Sequence, residues 1–254
     1  MVLEACMVII DNSEYMRNGD YTPSRYQAQL DTVEIIFRRK TNENPENVVG
    51  LMSNGGSSSL FLSNLTNDYG QILSGLHGSK IEGNGNDFIN CIEIACLGLK
   101  NRLNKNQRQR IIIFIGSPIN NNEDEILLLG RKLKKNNISI DIINFGEHEN
   151  NLSKLDKFIE IVNNEEKSSH LLTIPQGPYL LYEQVDKSAI LRNIDNDGNG
   201  NGNFGDNGGI GEFGDFGMDD PNMDPELALA IRLSLEEENS RKEREKSETM
   251  DESK

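Results

Sequence analysis

Arg110-Ile111-Ile112-Ile113-Phe114-Ile115 decides the fold class. The run after Arg110 is apolar throughout, so the strand has no polar face and must be covered on both sides, as in the middle of a parallel sheet. Leu3–Ile10 is an apolar run with β-branched residues, a buried strand by its pattern, and Ile138–Phe145 is expected as another buried strand. Between these strands the period changes to that of helices. Tyr26, Leu30, Val33 and Phe37 recur at helical spacing to about Lys40, with Thr22 expected as N-cap and Pro23 as the first helical residue. Asn47–Met52 is expected as a second strand and Ser59–Leu62 as a short third one, with Gly55-Gly56 as a hairpin turn between them. Tyr69–Leu76 suits a short helix. Asp87–Leu103 suits a longer one, with Phe88, Ile92, Ala95, Cys96 and Leu99 on one face. Glu123–Asn136 is a helix pattern around Ile126, Leu127, Leu129 and Leu133, and Leu152–Val162 is amphipathic. His170–Ile174 ends the sheet before Pro175, Gly177 and Pro178. Strands alternating with helices predict an α/β, doubly wound domain over residues 1–191, with helices on both faces of a mostly parallel sheet and one antiparallel edge strand.

Past Leu191 the texture changes. Asp195 to Gly217 contains nine glycines, mostly interleaved with Asn and Asp. Such a stretch has too few apolar side chains to form a core, and 192–222 is expected to be a flexible linker. The charge follows the same division. The formal net charge of the chain is -15, and residues 192–254 hold 17 acidic against 7 basic residues, so a quarter of the length carries -10 of it. That balance argues against nucleic acid as a partner, since phosphate contacts need a surplus of Lys and Arg. No apolar stretch approaches the roughly 20 residues needed to span a bilayer. Val2 to Ile10 is too short for an export signal and carries Glu4. Cys6, Cys91 and Cys96 are odd in number and form no CxxC, which suits buried free thiols in a reducing compartment. The Asn-x-Ser/Thr sequons at Asn64, Asn137 and Asn151 are then chance matches.

A second helix pattern begins after the linker: Asp224-Pro225-Glu226-Leu227-Ala228-Leu229-Ala230-Ile231-Arg232-Leu233-Ser234-Leu235-Glu236-Glu237-Glu238. Asp224 is a good N-cap and Pro225 suits the first turn. Asp219, Asp220, Asp224 and Glu226 favour the positive end of the helix dipole, while Arg241, Lys242 and Arg244 fall near the other end. An isolated helix of this length is marginal, and its apolar side chains need another surface to cover them. Leu227, Ala230, Ile231 and Ser234 share one face, where the small Ala230 and Ser234 admit a close partner. Carboxylates at both ends call for an apolar patch rimmed by basic residues.

The pattern acidic–Leu-x-x-Ala-x-x-x-Ser-x-x-Glu resembles the ubiquitin-interacting motif, with Leu227, Ala230, Ser234 and Glu237 on its defining positions. Leu-Ala-Leu-Ala-Ile (227–231) is similar to the family's apolar core, which covers the isoleucine-centred patch of ubiquitin. The N-terminal part adds to this. Met1-Val2-Leu3-Glu4, Asp11–Asp20, Asn44-Pro45-Glu46-Asn47, Ile115-Gly116-Ser117-Pro118 and Asp141–Glu147 resemble the von Willebrand A domain of the polyubiquitin receptors of the proteasome regulatory particle. The resemblance covers nearly the whole chain. It implies a Rossmann-like von Willebrand A domain (1–191), a linker (192–222), a ubiquitin-binding helix (223–246) and a charged tail (247–254). It further implies a non-enzymatic receptor, cytoplasmic and nuclear, whose domain docks between lid and base while Glu226, Leu227, Ala228, Leu229, Ala230, Ile231, Leu233, Ser234 and Glu237 bind polyubiquitin chains. Asp11 is the docking residue it suggests. The chain departs from the family at residues 53–60 and 78–90, which are rich in Gly, Ser and Asn, and it holds one ubiquitin motif where some members hold two.

Other chemistry finds little support. Many von Willebrand A domains bind a divalent cation through Asp-x-Ser-x-Ser, a Thr and a later Asp. Asp11 and Ser13 match, but Tyr15 replaces the second Ser, and Gly116-Ser117-Pro118 stands where the later Asp is expected. Asp195-x-Asp197-x-Asn199-Gly200 with Asp206 mimics a calcium loop, yet Gly202 occupies the position that requires an apolar residue. His77, His148 and His170 are scattered, and no phosphate loop or nucleophile–base pair is evident, so no cofactor and no catalysis are expected. Two rival readings stand beside the receptor: a stand-alone ubiquitin-binding adaptor, and a metal-dependent adhesion-type module.

Overall fold

The computed structural model describes residues 3–191, apart from 56–57, 84, 86, 164–167 and 178. These all fall in the first of two units into which the chain divides, 1–199 and 200–254. Six strands form one sheet: β1 (Glu4–Ile10), β2 (Val48–Ser53), β3 (Leu60–Thr66), β4 (Arg108–Ile115), β5 (Ile138–Phe145) and β6 (Leu171–Ile174). Their order is β3-β2-β1-β4-β5-β6. All neighbours are parallel except β2 and β3, which form the expected antiparallel edge. The hairpin partner is longer than Ser59–Leu62, because its pairing reaches Thr66 opposite Val49.

Among the described residues six helices cover the sheet: α1 (Arg25–Glu43), α2 (Tyr69–Gly78), α3 (Phe88–Lys100), α4 (Glu123–Lys135), α5 (His148–Val162) and α6 (Leu181–Lys187). The period-2 alternation of the strands divides the core in two. Ala5, Met7, Ile9, Ile111, Ile113 and Ile115 point to the layer of α3, α4 and α5. Cys6, Val8, Ile10, Ile112 and Phe114 point to that of α1, α2 and α6. Both faces of β4 are buried, as its sequence requires.

Local chemistry sets the helix ends. Asp68 and Asp87 cap α2 and α3 by accepting from Gly70 N and Asn90 N. In α4, Glu123, Asp124 and Glu125 open the first turn and Lys132, Lys134 and Lys135 close the last, matching the helix dipole. The start of α1 is a correction. Ser24, not Thr22, is the N-cap, its Oγ accepting from Gln27 N at 3.2 Å, and the Thr22–Pro23 bond is cis. Two elements carried too little periodicity to be expected: a 3-10 turn at Glu14–Arg17 and the seven-residue α6, which buries Leu181 and Val185. Among the described residues no helix is long and apolar enough to cross a membrane.

Candidate functional site

The strand order reverses between β1 and β4, so their C-terminal ends face a crevice where open α/β sheets hold ligands. Asp11 stands at this point, directly after β1, with no solvent exposure. Its carboxylate accepts four hydrogen bonds. Oδ2 receives Gly116 N at 3.1 Å, Ser117 N at 3.0 Å and the Ser117 hydroxyl at 2.7 Å, while Oδ1 receives Ser13 N at 2.9 Å. Its backbone is clamped by Gln29 of α1, which donates from Nε2 to Asp11 O (2.6 Å) and accepts Asp11 N at Oε1 (3.1 Å). The crevice is therefore stitched shut across the β1–β4 gap by the chain's own groups.

Around this stitch the loops are tied together. Arg25, 2 % exposed, donates from Nε and Nη2 to Asp20 at 2.7 and 2.6 Å and from Nη1 to Gly116 O at 3.2 Å. Burial disfavours the Arg25 cation, but the Asp20 carboxylate outweighs it and raises the guanidinium pKa; Glu147 adds to the effect at 3.5 Å. Tyr21 donates to Ile174 O at 2.7 Å and accepts Gly146 N at 3.2 Å, joining the loops after β5 and β6. On the other side, Asn12 Nδ2 donates to Lys80 O, Glu82 N donates to Asn12 O and Glu14 N donates to Gly83 O. The turn at Glu14–Arg17 presents Tyr15 to solvent and buries Met16.

A divalent cation does not fit this geometry. A hard cation needs several oxygen ligands, and Asp11 Oδ2 already accepts from three donors, which take up the lone pairs a cation would need. Gly116-Ser117-Pro118 stands where the later carboxylate is expected, and Tyr15 where a second serine is. Ser13 Oγ is buried without a partner among the described residues, and one hydroxyl falls short of a cation's ligand set. Among the described residues no three His, Cys, Asp or Glu converge as a metal group.

The opposite end of the sheet holds a second polar cluster. Arg110 reaches Asp141 at 2.6 Å and Glu4 at 3.2 Å, and Lys40 reaches Glu4 at 2.9 Å. His170 Nδ1 lies 2.9 Å from Asp141. Burial pushes the Glu4 carboxyl up, but Arg110 and Lys40 together hold it below the ordinary carboxylate value. This cluster explains why the quoted Asp141 stretch begins with a charge inside an apolar run.

Of the residues expected to carry function, Asp11 is central to the crevice. Glu226, Leu227, Ala228, Leu229, Ala230, Ile231, Leu233, Ser234 and Glu237 lie outside the described residues, as do the linker and tail. Two residues of the crevice, Arg25 and Gln29, are not singled out by the sequence reading. A signal for both is present: with Thr32 they interrupt the apolar stripe of α1 in helical register, and all three are buried. Polar residues inside such a stripe mark groups with buried partners.

A doubly wound sheet with an Asp-x-Ser turn at its switch point is the mark of a von Willebrand factor type A domain, and a sequence model of that family matches residues 6–118. The 26S proteasome regulatory subunit RPN10 of Saccharomyces cerevisiae is 52% identical over 243 residues, covering 94% of this chain and 89% of that protein. Its Schizosaccharomyces pombe counterpart is 47% identical, with 96% and 93% covered. Among solved structures, the SpRpn10 VWA domain matches with a TM-score of 0.70 at 51% identity, covering 74% of this chain and 97% of that one. BatB from Bacteroides thetaiotaomicron matches at 0.57 with 13% identity, a likeness of fold alone. The chain belongs to the RPN10 family of 26S proteasome regulatory subunits, which is non-catalytic.

Proposed function

We propose that this chain is a polyubiquitin receptor of the 26S proteasome regulatory particle, working by tethered capture. The von Willebrand A domain docks the protein between lid and base. Residues 192–222 form the tether, and the helix within 223–246 covers the apolar patch of ubiquitin with Leu227, Leu229, Ala230 and Ile231. Asp11 is buried, so its part in docking is to hold the turn that displays Tyr15. The observation that carries the reading is one chain joining this fold, in a family of proteasome subunits, to Leu227, Ala230, Ser234 and Glu237 at ubiquitin-motif spacing. About 30 residues of Gly-rich coil span roughly 30 Å r.m.s.. One short helix buries little area, so single contacts are weak and fast, and several ubiquitins per chain supply avidity.

Two measurements test the reading. In an NMR titration of segment 215–254 with ubiquitin, shifts should be confined to Glu226–Glu238. In the full chain, the triple variant Leu227→Asn, Leu229→Asn, Ile231→Asn should lose ubiquitin binding while the domain stays folded. Undiminished binding by that variant removes the motif as the site. Failure of the unaltered chain to co-purify with proteasomes would favour the stand-alone adaptor.

A further inference from the structure

The two helical layers are unequal. On one face α1, α2 and α6 cover the sheet from β3 to β6, with α2 on β2 and β3. On the other, α3 lies over β1 and β4, and α4 and α5 lie over β5 and β6. Beyond α3, towards the β3 edge, no described helix takes the next place in that layer. An open cleft of about 490 Å³ lies there instead. Its apolar lining is the buried Met7 and half-buried Leu65 and Ile94 together with the exposed Phe61, Leu97 and Leu103.

Two glycines shape the cleft. Gly98 lets the Phe61 ring lie against the α3 backbone, since a Cβ there would stand 3.1 Å from the ring. Gly50 on β2 leaves room for Met7 and Leu65, which a Cβ would meet at 2.9 and 3.3 Å. Phe61 is 46% exposed, Leu97 61% and Leu103 fully so. Three large apolar side chains around one cleft exceed the scattered exposure normal for a surface.

The polar rim has one sign. Asn64, Asn101 and Arg102 complete the lining, and no carboxylate belongs to it. Arg102 donates to the carbonyls of Leu99, Lys105 and Gln107, and Lys105 donates to that of Lys100. Three cations are thus gathered at the C-terminal end of α3 without a carboxylate partner among the described residues, in a chain whose net charge is -15.

We propose that this cleft docks an amphipathic helix of a neighbouring subunit of the regulatory particle, which takes the next helical place beside α3. Its apolar face seats on Phe61, Leu65 and Leu97, and its carboxylates meet Arg102, Lys105 and Lys100. Apolar anchors at i, i+3/i+4 and i+7 would read the apolar lining, and the charges would fix its direction. The basic end argues for an acidic partner and against a basic one. The inference rests on the docking reading above and names the surface that carries it.

The test uses the full chain in assembled particles, with a photo-crosslinking amino acid in place of Leu97 or of Leu103. The expected product joins these positions to a lid or base segment in which Asp or Glu flanks apolar residues at helical spacing. The double variant Lys100→Glu, Lys105→Glu should lower recovery with the particle at least tenfold while its far-UV spectrum and its ubiquitin binding stay unchanged. If the unaltered chain assembles but the double variant assembles equally well, the cleft is not the docking surface. Crosslinks confined to ubiquitin, to residues 192–254 of the same chain or to a basic segment also overturn the proposal. If even the unaltered chain fails to co-purify with the particle, the docking reading falls, and this inference with it.

Discussion

Replacing Asp11 by alanine tests whether the crevice is closed by hydrogen bonds or built for a cation. The substitution removes the acceptor for Gly116 N, Ser117 N, Ser13 N and the Ser117 hydroxyl, all at a residue with no exposure. A buried donor left without a partner costs about 1–3 kcal/mol. The Ser117 hydroxyl can rotate to another acceptor, and removing a buried carboxylate recovers part of its desolvation cost. Three backbone donors at the low end of the range leave a net loss of about 3 kcal/mol. A domain of this size has a stability of about 5–15 kcal/mol, so the loss is a large fraction of it. It corresponds to a fall in Tm of about 6–12 °C.

The assay is urea unfolding of the full chain followed by far-UV circular dichroism. The midpoint should fall for Asp11→Ala with the slope unchanged, by the same amount in Mg²⁺ and in EDTA. A loss below about 1 kcal/mol would mean that the four bonds contribute little beyond what solvent replaces. A stabilisation by Mg²⁺ that vanishes in the variant would restore the metal-dependent module and refute the closed crevice.

Gly146 has a φ of +73°, and a Cβ there would lie 2.5 Å from Arg25 Nη1 and 2.7 Å from its Cζ. Gly146→Ala should therefore cost about 2 kcal/mol or more from backbone strain and displacement of Arg25, read as a lowered urea midpoint. Glu4 has a folded pKa below its unfolded one, because Arg110 and Lys40 overcome the upward push of burial. Its contribution is present above the unfolded value of 4.5 and is lost as pH falls through the folded value. Glu4→Gln should flatten the decline of stability between about pH 5 and 3, and an unchanged acid limb would exclude Glu4 from it. Burial pushes the Cys6 thiol up to about 12 and Cys91 well above the usual range, while Cys96 is pushed up to about 11. Disulfide reagents at neutral pH should label none of the three rapidly in the folded chain, and all three at once in denaturant.

The sequence disclosed those parts of the fold in which one signal dominates. β4 is an unbroken apolar run from Ile111 to Ile115, and in β5 isoleucine recurs at 138, 140, 142 and 143 despite Ser139 and Asp141. The face of α3 was legible because Phe88, Ile92, Ala95 and Leu99 recur at helical spacing, and all four are fully buried. Cys96 was placed on that face but is only half-buried, while Cys91 occupies the core position. The entry to α1 was misplaced because two signals overlap: Thr22-Pro23 imitates a cap, while Ser24 supplies the bond. α6 is too short for a period to show, and its stability comes from packing on α1. Asp11 was legible as special but not its partners. Gly116 and Ser117 lie more than a hundred residues away, and only the parallel pairing of β1 with β4 brings them to its carboxylate.

That pairing bears on what the domain can do. The switch point of a doubly wound sheet is its natural ligand crevice because two loops part there and leave helix and strand ends exposed. Here Asp11 bridges the two loops, Arg25 ties the β4 loop to Asp20, and Tyr21 ties the β5 loop to β6. Each bond that closes the crevice also fixes the loops as a rigid outer surface, with Tyr15 on one rim and Glu147 on the other. A crevice filled by its own hydrogen bonds leaves recognition to outer faces, and a preformed face needs little ordering when a partner arrives. The same reasoning separates stability from capture. The domain can be held firmly through a rigid surface, while the capture proposed above would rest on weak contacts, which hold by number instead of by strength when they repeat along a chain.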